Sequence, residues 1–211
     1  SVSPICVPTV TNVVINEVMH WPSGGQGLIG TGREYIELYN PTCSPIDISC
    51  FILGTRSAPD SNPTGPLQTG GSIIIPSGTI LQPKSHYVIG TSSTSSNLLS
   101  VDFKTDLNLS NYCSTGNFVM PNGDGWLALY NSSGTAIDAL YWTVGVNQST
   151  KITTPDDDFN DRPCIPSSVG SCTTTGITLL SASEIYIFNP ILMNYVGIST
   201  PNPLAEADRS I

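Results

Sequence analysis

Oxygen-bearing side chains crowd one short stretch of this chain: Asp156, Asp158, Asn160 and Asp161. Carboxylates and amides at alternating positions can converge on a hard cation such as Ca²⁺ when a loop curls, as in loops with acidic residues at positions one, three and five. The stretch departs from the EF-hand pattern at its sixth position, where Asp161 stands in place of glycine and Arg162 follows. It is expected either to hold Ca²⁺ or to be a solvated acidic loop. Asn122 and Asp124 form a second pair of this kind, which a turn also explains.

Proton-transfer and nucleophilic chemistry find fewer candidates. His20 and His86 are the two histidines, and neither sits in a GxSxG elbow or an HExxH helix. His86 beside Tyr87 reads as a half-exposed sheet residue. Glu17, Glu34 and Glu37 could supply paired carboxylates if their strands lie side by side, but glycosidase chemistry also needs a cleft, and no spacing announces one. Gly25, Gly27 and Gly30 spell GxGxxG, yet a dinucleotide fingerprint must follow a strand and open a helix, whereas the next element here is a strand. That stretch reads as a flexible loop.

The six cysteines, Cys6, Cys43, Cys50, Cys113, Cys164 and Cys172, contain no CxxC and no histidine at zinc-finger spacing. An even count in a Ser/Thr-rich chain suits three disulfides and an oxidising compartment, with buried free thiols as the alternative. Sequence alone leaves fifteen connectivities. The preferred set joins Cys43 to Cys50 and Cys164 to Cys172, each across a short turn-rich segment, and leaves Cys6 to pin an N-terminal arm to Cys113.

The elements that must position these residues are strands. From Glu34 to Tyr39 the chain alternates Glu-Tyr-Ile-Glu-Leu-Tyr, which puts Ile36 and Leu38 on one face and Tyr35, Glu37 and Tyr39 on the other. Asn40-Pro41 ends the strand, and Ile46, Ile48, Phe51 and Leu53 bring the chain back to Gly54. A first strand over Val13 to His20 has Val13 and Ile15 on one face, and only a bulge near Asn16 or Glu17 brings Val18 to that face as well. Further strands are expected over Ser72–Ile75 and His86–Gly90, with a hairpin of Trp126–Tyr130 and Thr135–Trp142 about the turn Asn131–Gly134. Ile177–Leu180 and Glu184–Phe188 read as two more strands, and Asn189–Ile211 as an irregular tail.

The order of these pieces carries a resemblance. INEV, then EYIELYNP with IDISCFILG, then LQPKSHYVI, then GDGWLALYNSSGTAIDALYW resembles the lamin-tail domain family over roughly residues 12 to 142, and more weakly to Thr200-Pro201-Asn202. The resemblance implies an immunoglobulin-like β-sandwich, with its glutamates serving the fold rather than proton transfer. It also implies kinship with domains attached to exported bacterial proteins, where they act as interaction or attachment modules. The expected fold is thus an all-β, immunoglobulin-like β-sandwich with long loops and a C-terminal elaboration. Residues 1–11 form an extended arm, 12–145 the sandwich, and 146–211 an extension packed on the same domain.

Composition bounds the function. Seven Lys and Arg against sixteen Asp and Glu give a formal net charge of −9, which repels polyanions, so the chromatin contacts of nuclear family members are set aside and no nucleic-acid partner is expected. No apolar run reaches the roughly 18 residues of a membrane helix. The expectation is a non-enzymatic, extracellular or cell-surface module that binds other protein chains, copies of itself included, in adhesion or self-assembly by surface contact or strand addition. Tyr35, Glu37 and Tyr39 are the first contact residues to test. The rival is a carbohydrate-binding or accessory domain of an exported enzyme, with Trp21, Trp126 and Trp142 as stacking platforms.

Overall fold

The computed structural model describes residues 11–21, 35–57, 71–90, 101–104, 120, 125–144, 162–188, 193–198 and 209–210. The first sheet contains β1 (Val14–Trp21), β2 (Tyr35–Tyr39), β7 (His86–Gly90), β8 (Phe103–Lys104) and β14 (Arg209–Ser210), in the order β14-β1-β2-β7-β8. The second contains β4 (Ile52–Ser57), β5 (Ser72–Ile74), β9 (Gly125–Tyr130), β10 (Ala136–Val144) and β13 (Met193–Ile198), in the order β13-β10-β9-β4-β5. Two short ladders complete the strands: β3 (Ile46–Asp47) with β6 (Ile80–Leu81), and β11 (Ser168–Val169) with β12 (Cys172–Thr173).

Alternation decides which side chains fill the sandwich. Val18, Ile36, Leu38 and Ile89 from the first sheet meet Leu53, Ile73, Leu127, Leu129, Leu140 and Trp142 from the second in one buried cluster. Each such apolar side chain removed from water contributes on the order of 2 kcal/mol. The phase of β1 matters most. Ile15 pairs with Leu38 and Glu17 with Glu37, so Asn16 is the extra residue of a bulge, and Val18 then pairs with Ile36 on the inner side. The bulge that the apolar pattern demanded is present.

Asp138 closes that bulge from the opposite sheet. Its carboxylate accepts the Ile15 backbone N–H at 2.7 Å and the Ala139 N–H at 2.9 Å, beside a second bulge between Ala136 and Asp138. One acidic side chain therefore joins the two sheets where both depart from regular pairing. Burial pushes its pKa up from 3.8 to about 6, and the two N–H donors only partly offset that rise.

Asn40 does similar work at the end of β2. It is fully buried; its amide donates to the Ser44 and Leu81 carbonyls at 2.9 and 3.0 Å, and its Oδ1 accepts from the Thr42 N–H and hydroxyl at 2.9 and 2.7 Å. Its backbone N–H and carbonyl are paired with Ser85 and Lys84. Every polar group of the residue is satisfied, which is what makes a buried amide tolerable.

The C-terminal part builds on both sheets. β13 pairs in parallel with β10 from Ala139↔Met193 to Val144↔Ile198, and β14 pairs with β1 at Met19 and Trp21. The tail expected to be irregular thus holds two strands. The strand expected over Glu184–Phe188 is instead a helix, α1 (Ala182–Phe188), and Ile177–Leu180 carries no strand. A capping box explains the helix: the Ser181 N–H and hydroxyl donate to Glu184 Oε2 at 2.7 and 2.8 Å, and the Glu184 N–H returns to Ser181 Oγ at 3.4 Å. Arg162 also donates to Glu184 and, as the largest cause, holds its carboxyl down at about 2.

Residues 162–188 lie on the outer face of the second sheet. Cys172, Leu179, Ala182 and Ile185 cluster with Ile52, Ile74, Trp126, Ala128, Tyr130 and Tyr141, so β9 is buried on both faces. Tyr130 donates its hydroxyl to the Leu180 carbonyl at 2.5 Å, and burial pushes its pKa well above the usual phenol range. Pro163 sits over Gly54, where a Cβ would fall 2.6 Å from the proline Cγ.

The disulfides correct the expected pairing. Cys50 is bonded to Cys172 across 122 residues, so neither Cys43–Cys50 nor Cys164–Cys172 exists. Cys43 and Cys164 are disulfide-bonded as well. The short pairs fail because tertiary packing brings other partners together: Cys172 opens β12 and lies in the apolar cluster against which Cys50 packs, while β3 pairs with β6 between Cys43 and Cys50. Cys6 and Cys113, with the expected arm, lie outside the described residues.

Because the folded pKa of Asp138 lies above its ordinary value, its contribution to stability is fullest below about pH 4 and falls as pH rises through 6. The stability advantage of wild type over Asp138→Asn, from urea unfolding midpoints, is expected to shrink by on the order of 2 kcal/mol between pH 4 and pH 7. An advantage that stays constant or grows over that range contradicts the assignment.

Candidate interaction face

The outer face of the first sheet gathers the residues singled out by alternation. Ile36 and Leu38 are fully buried, while Tyr35, Glu37 and Tyr39 are partly exposed on the opposite face of β2. Register brings their neighbours: Glu17 lies opposite Glu37 on one side and Val88 on the other, and Tyr39 lies opposite His86. Two glutamates directly across a ladder repel each other. Here each has found a donor. The Tyr35 hydroxyl donates to Glu17 Oε1 at 2.7 Å, and Asn16 Nδ2 donates to Glu37 Oε1 at 2.6 Å.

His86 completes the row. Its ring stacks on Tyr39 with centroids 4.7 Å apart and planes 26° apart, and its Nε2 lies 3.7 Å from Glu37 Oε1. Protonation would make that contact an ion pair. The face therefore presents two aromatic rings, an imidazole and two carboxylates, each set in place by a partner on the same sheet. Sequence reasoning found Tyr35, Glu37 and Tyr39 by their spacing. It missed Asn16, Glu17 and His86 as members because their membership depends on strand register, although the bulge needed for Val18 also turns Glu17 outward.

Other candidates fall elsewhere. His20 is buried in the interior, its ring stacked on Trp142 at 4.9 Å, and belongs to the packing rather than to a site. Trp126 and Trp142 are fully buried and cannot stack a sugar, which removes two of the three platforms proposed for carbohydrate binding. Nothing is described of the Trp21 side chain. Asp156, Asp158, Asn160 and Asp161, like Asn122, Asp124, Glu34 and the GxGxxG stretch, lie outside the described residues. Among the described residues no group of three or more His, Cys, Asp or Glu is arranged to hold a metal ion, and no helix is long and apolar enough to cross a membrane.

A family profile described as Lamin Tail Domain matches residues 7–144, ending on the last residue of β10. The chain belongs to the lamin tail domain family. The match spans the core of both sheets, which accounts for the immunoglobulin-like sandwich, and such a domain is a protein-interaction module of a family that is generally non-enzymatic. The covering segment 162–188 with strands β13 and β14 lies beyond the lamin tail domain match. No curated protein matches the chain.

Asn16 is a neutral donor to Glu37, which lies directly across the ladder from Glu17. Asn16→Asp is expected to lower stability by about 1 kcal/mol, less at high salt, because it sets a third carboxylate beside Glu37 and removes the amide donor. Urea midpoints at low and high ionic strength measure it, and a salt-independent loss would assign the effect to packing.

Proposed function

We propose that this lamin tail domain acts as a non-enzymatic, extracellular or cell-surface module that binds other protein chains, copies of itself among them, in adhesion or self-assembly. The observation that carries the reading is the outer face of the first sheet. Its rings and carboxylates are held in fixed positions by the Tyr39–His86 stack and the Asn16–Glu37 and Tyr35–Glu17 hydrogen bonds. A preordered aromatic and polar surface loses little side-chain freedom when a partner docks, and tyrosine is prominent among contact residues that dominate binding energy. Support for an oxidising location comes from the cysteines, since Cys43, Cys50, Cys164 and Cys172 are all disulfide-bonded.

Self-association is the direct test. Sedimentation velocity over a concentration series is expected to show reversible oligomers, with the association constant reduced about tenfold or more in Tyr39→Ala and Glu37→Ala. Ser168→Ala, on the far side of the molecule, is expected to leave it unchanged. A chain that stays monomeric at every concentration, or a loss shared equally by all three variants, overturns the self-assembly reading.

An extracellular setting would also supply Ca²⁺, and within the same proposal the stretch Asp156, Asp158, Asn160 and Asp161 binds it. Saturating Ca²⁺ is expected to raise the Tm of chelator-stripped protein, and the quadruple alanine variant is expected to lose that rise. An unchanged Tm in the stripped wild type refutes Ca²⁺ binding.

A further inference from the structure

The covering segment is tied to the second sheet at its two ends and locked in its middle. At the leading end Ser72 donates its hydroxyl to the Cys164 carbonyl at 2.6 Å, and Pro163 packs over Gly54. At the trailing end Tyr130 donates to the Leu180 carbonyl, and Leu179, Ala182 and Ile185 are buried. Between these ties stands the β11–β12 hairpin, which pairs only Ser168↔Thr173 and Val169↔Cys172.

The hairpin itself is mostly exposed. From Ser167 to Gly176 only Cys172 and Thr174 are buried. Thr174 is bonded within the hairpin, its N–H to the Ser167 carbonyl and its hydroxyl to the Pro166 carbonyl. Cys172 is 2 % exposed, lies in the apolar cluster of the second sheet, and is bonded to Cys50 just ahead of β4. Gly170 at φ +58° and Gly176 at φ +85° take backbone shapes that suit a turn and a pivot. A two-stranded hairpin with two paired residues a side is not stable alone. Apart from the partly buried Val169, which packs against the same cluster, its hold on the sheet is the covalent bond of Cys172 to Cys50.

We propose that residues 166–176 form a thiol-released flap over the β4–β5 end of the second sheet, with the Cys50–Cys172 disulfide as its lock. A dithiol reductant opens it in two exchanges. A thiolate of the reductant attacks the sulfur of Cys50, the more exposed of the pair, and Cys172 leaves as thiolate and takes up a proton. The second thiol of the reductant then displaces Cys50, leaving two protein thiols and the oxidised cyclic disulfide of the reductant. The flap then swings on its ties at Cys164 and Leu180, and uncovers the surface around Ile52 and Ile74, while α1 and the sandwich stay in place.

Amide hydrogen exchange on the whole chain tests this, comparing wild type with Cys50→Ser/Cys172→Ser, in which the bridges of Cys43 and Cys164 remain. Exchange is expected to rise by at least about tenfold across 167–176 and to stay within about twofold in β9, β10 and α1. Unchanged exchange in the hairpin would mean that packing holds it, and acceleration spread through β9, β10 and α1 would make the bridge a staple of the whole domain; either overturns the flap. Should the double variant not fold, stepwise reduction of wild type by dithiothreitol with mass tagging decides. Tagging of Cys50 and Cys172 while β9 and β10 keep their protection supports the proposal, and tagging only as that protection is lost overturns it.

Discussion

A single inserted residue in the first strand, held by an acid from the other sheet, governs both sides of this molecule. Asn16 shifts the pleat of β1 by one position, so that Val13 and Ile15 before it and Val18 after it all reach the interior. The same shift sends Glu17 outward to Tyr35 and brings the Asn16 amide to Glu37. The Ile15 N–H is taken by Asp138 across the sandwich. Without that acceptor a donor beside the core would face a desolvation cost of about 1 to 3 kcal/mol. Core phase and surface composition thus depend on one bulge and one carboxylate.

That carboxylate is kept at a cost to itself. Burial raises its pKa, so part of the gain from tying the sheets together is given back at neutral pH. Glu184 shows the opposite balance. It is more exposed, receives donors from Arg162 and Ser181, and its pKa is depressed, so its contribution is present above the usual carboxylate range and is lost as pH falls towards 2. Two acids of one domain therefore respond to acidification in opposite senses, and the sign follows from whether burial or donors dominate.

Much of the sandwich was legible in the sequence because its signals are local. Alternation over Tyr35–Tyr39, the mismatch of Val18 with Val13 and Ile15, and the Asn131–Gly134 turn each announce themselves within a few residues. At the turn, Asn131 Oδ1 accepts the N–H groups of Ser133 and Thr135, and Gly134 takes φ +82°. The C-terminal part was misread where the information is either short or distant. Ser181 and Glu184 spell a capping box, a signal present in the sequence but outweighed by the apolar alternation of Ile185 and Ile187. The pairing of β13 with β10, the bond from Cys50 to Cys172 and the membership of His86 in the outer face depend on which distant segments meet, and no local pattern encodes that.

The two outer faces of the sandwich have met opposite fates, and the side chains explain why. On the second sheet the outward positions are Ile52, Ile74, Trp126, Ala128, Tyr130 and Tyr141, an apolar surface that water disfavours, and the segment beyond the family core covers it with Leu179, Ala182 and Ile185. On the first sheet the outward positions mix glutamates, tyrosines and a histidine, braced by one another, with Val14, Met19 and Val88 among them. A sheet with one face in the core needs a solution for its other face, either burial or polarity. This chain uses both, and the polar solution is the one that leaves ordered rings and charges where a partner can reach them.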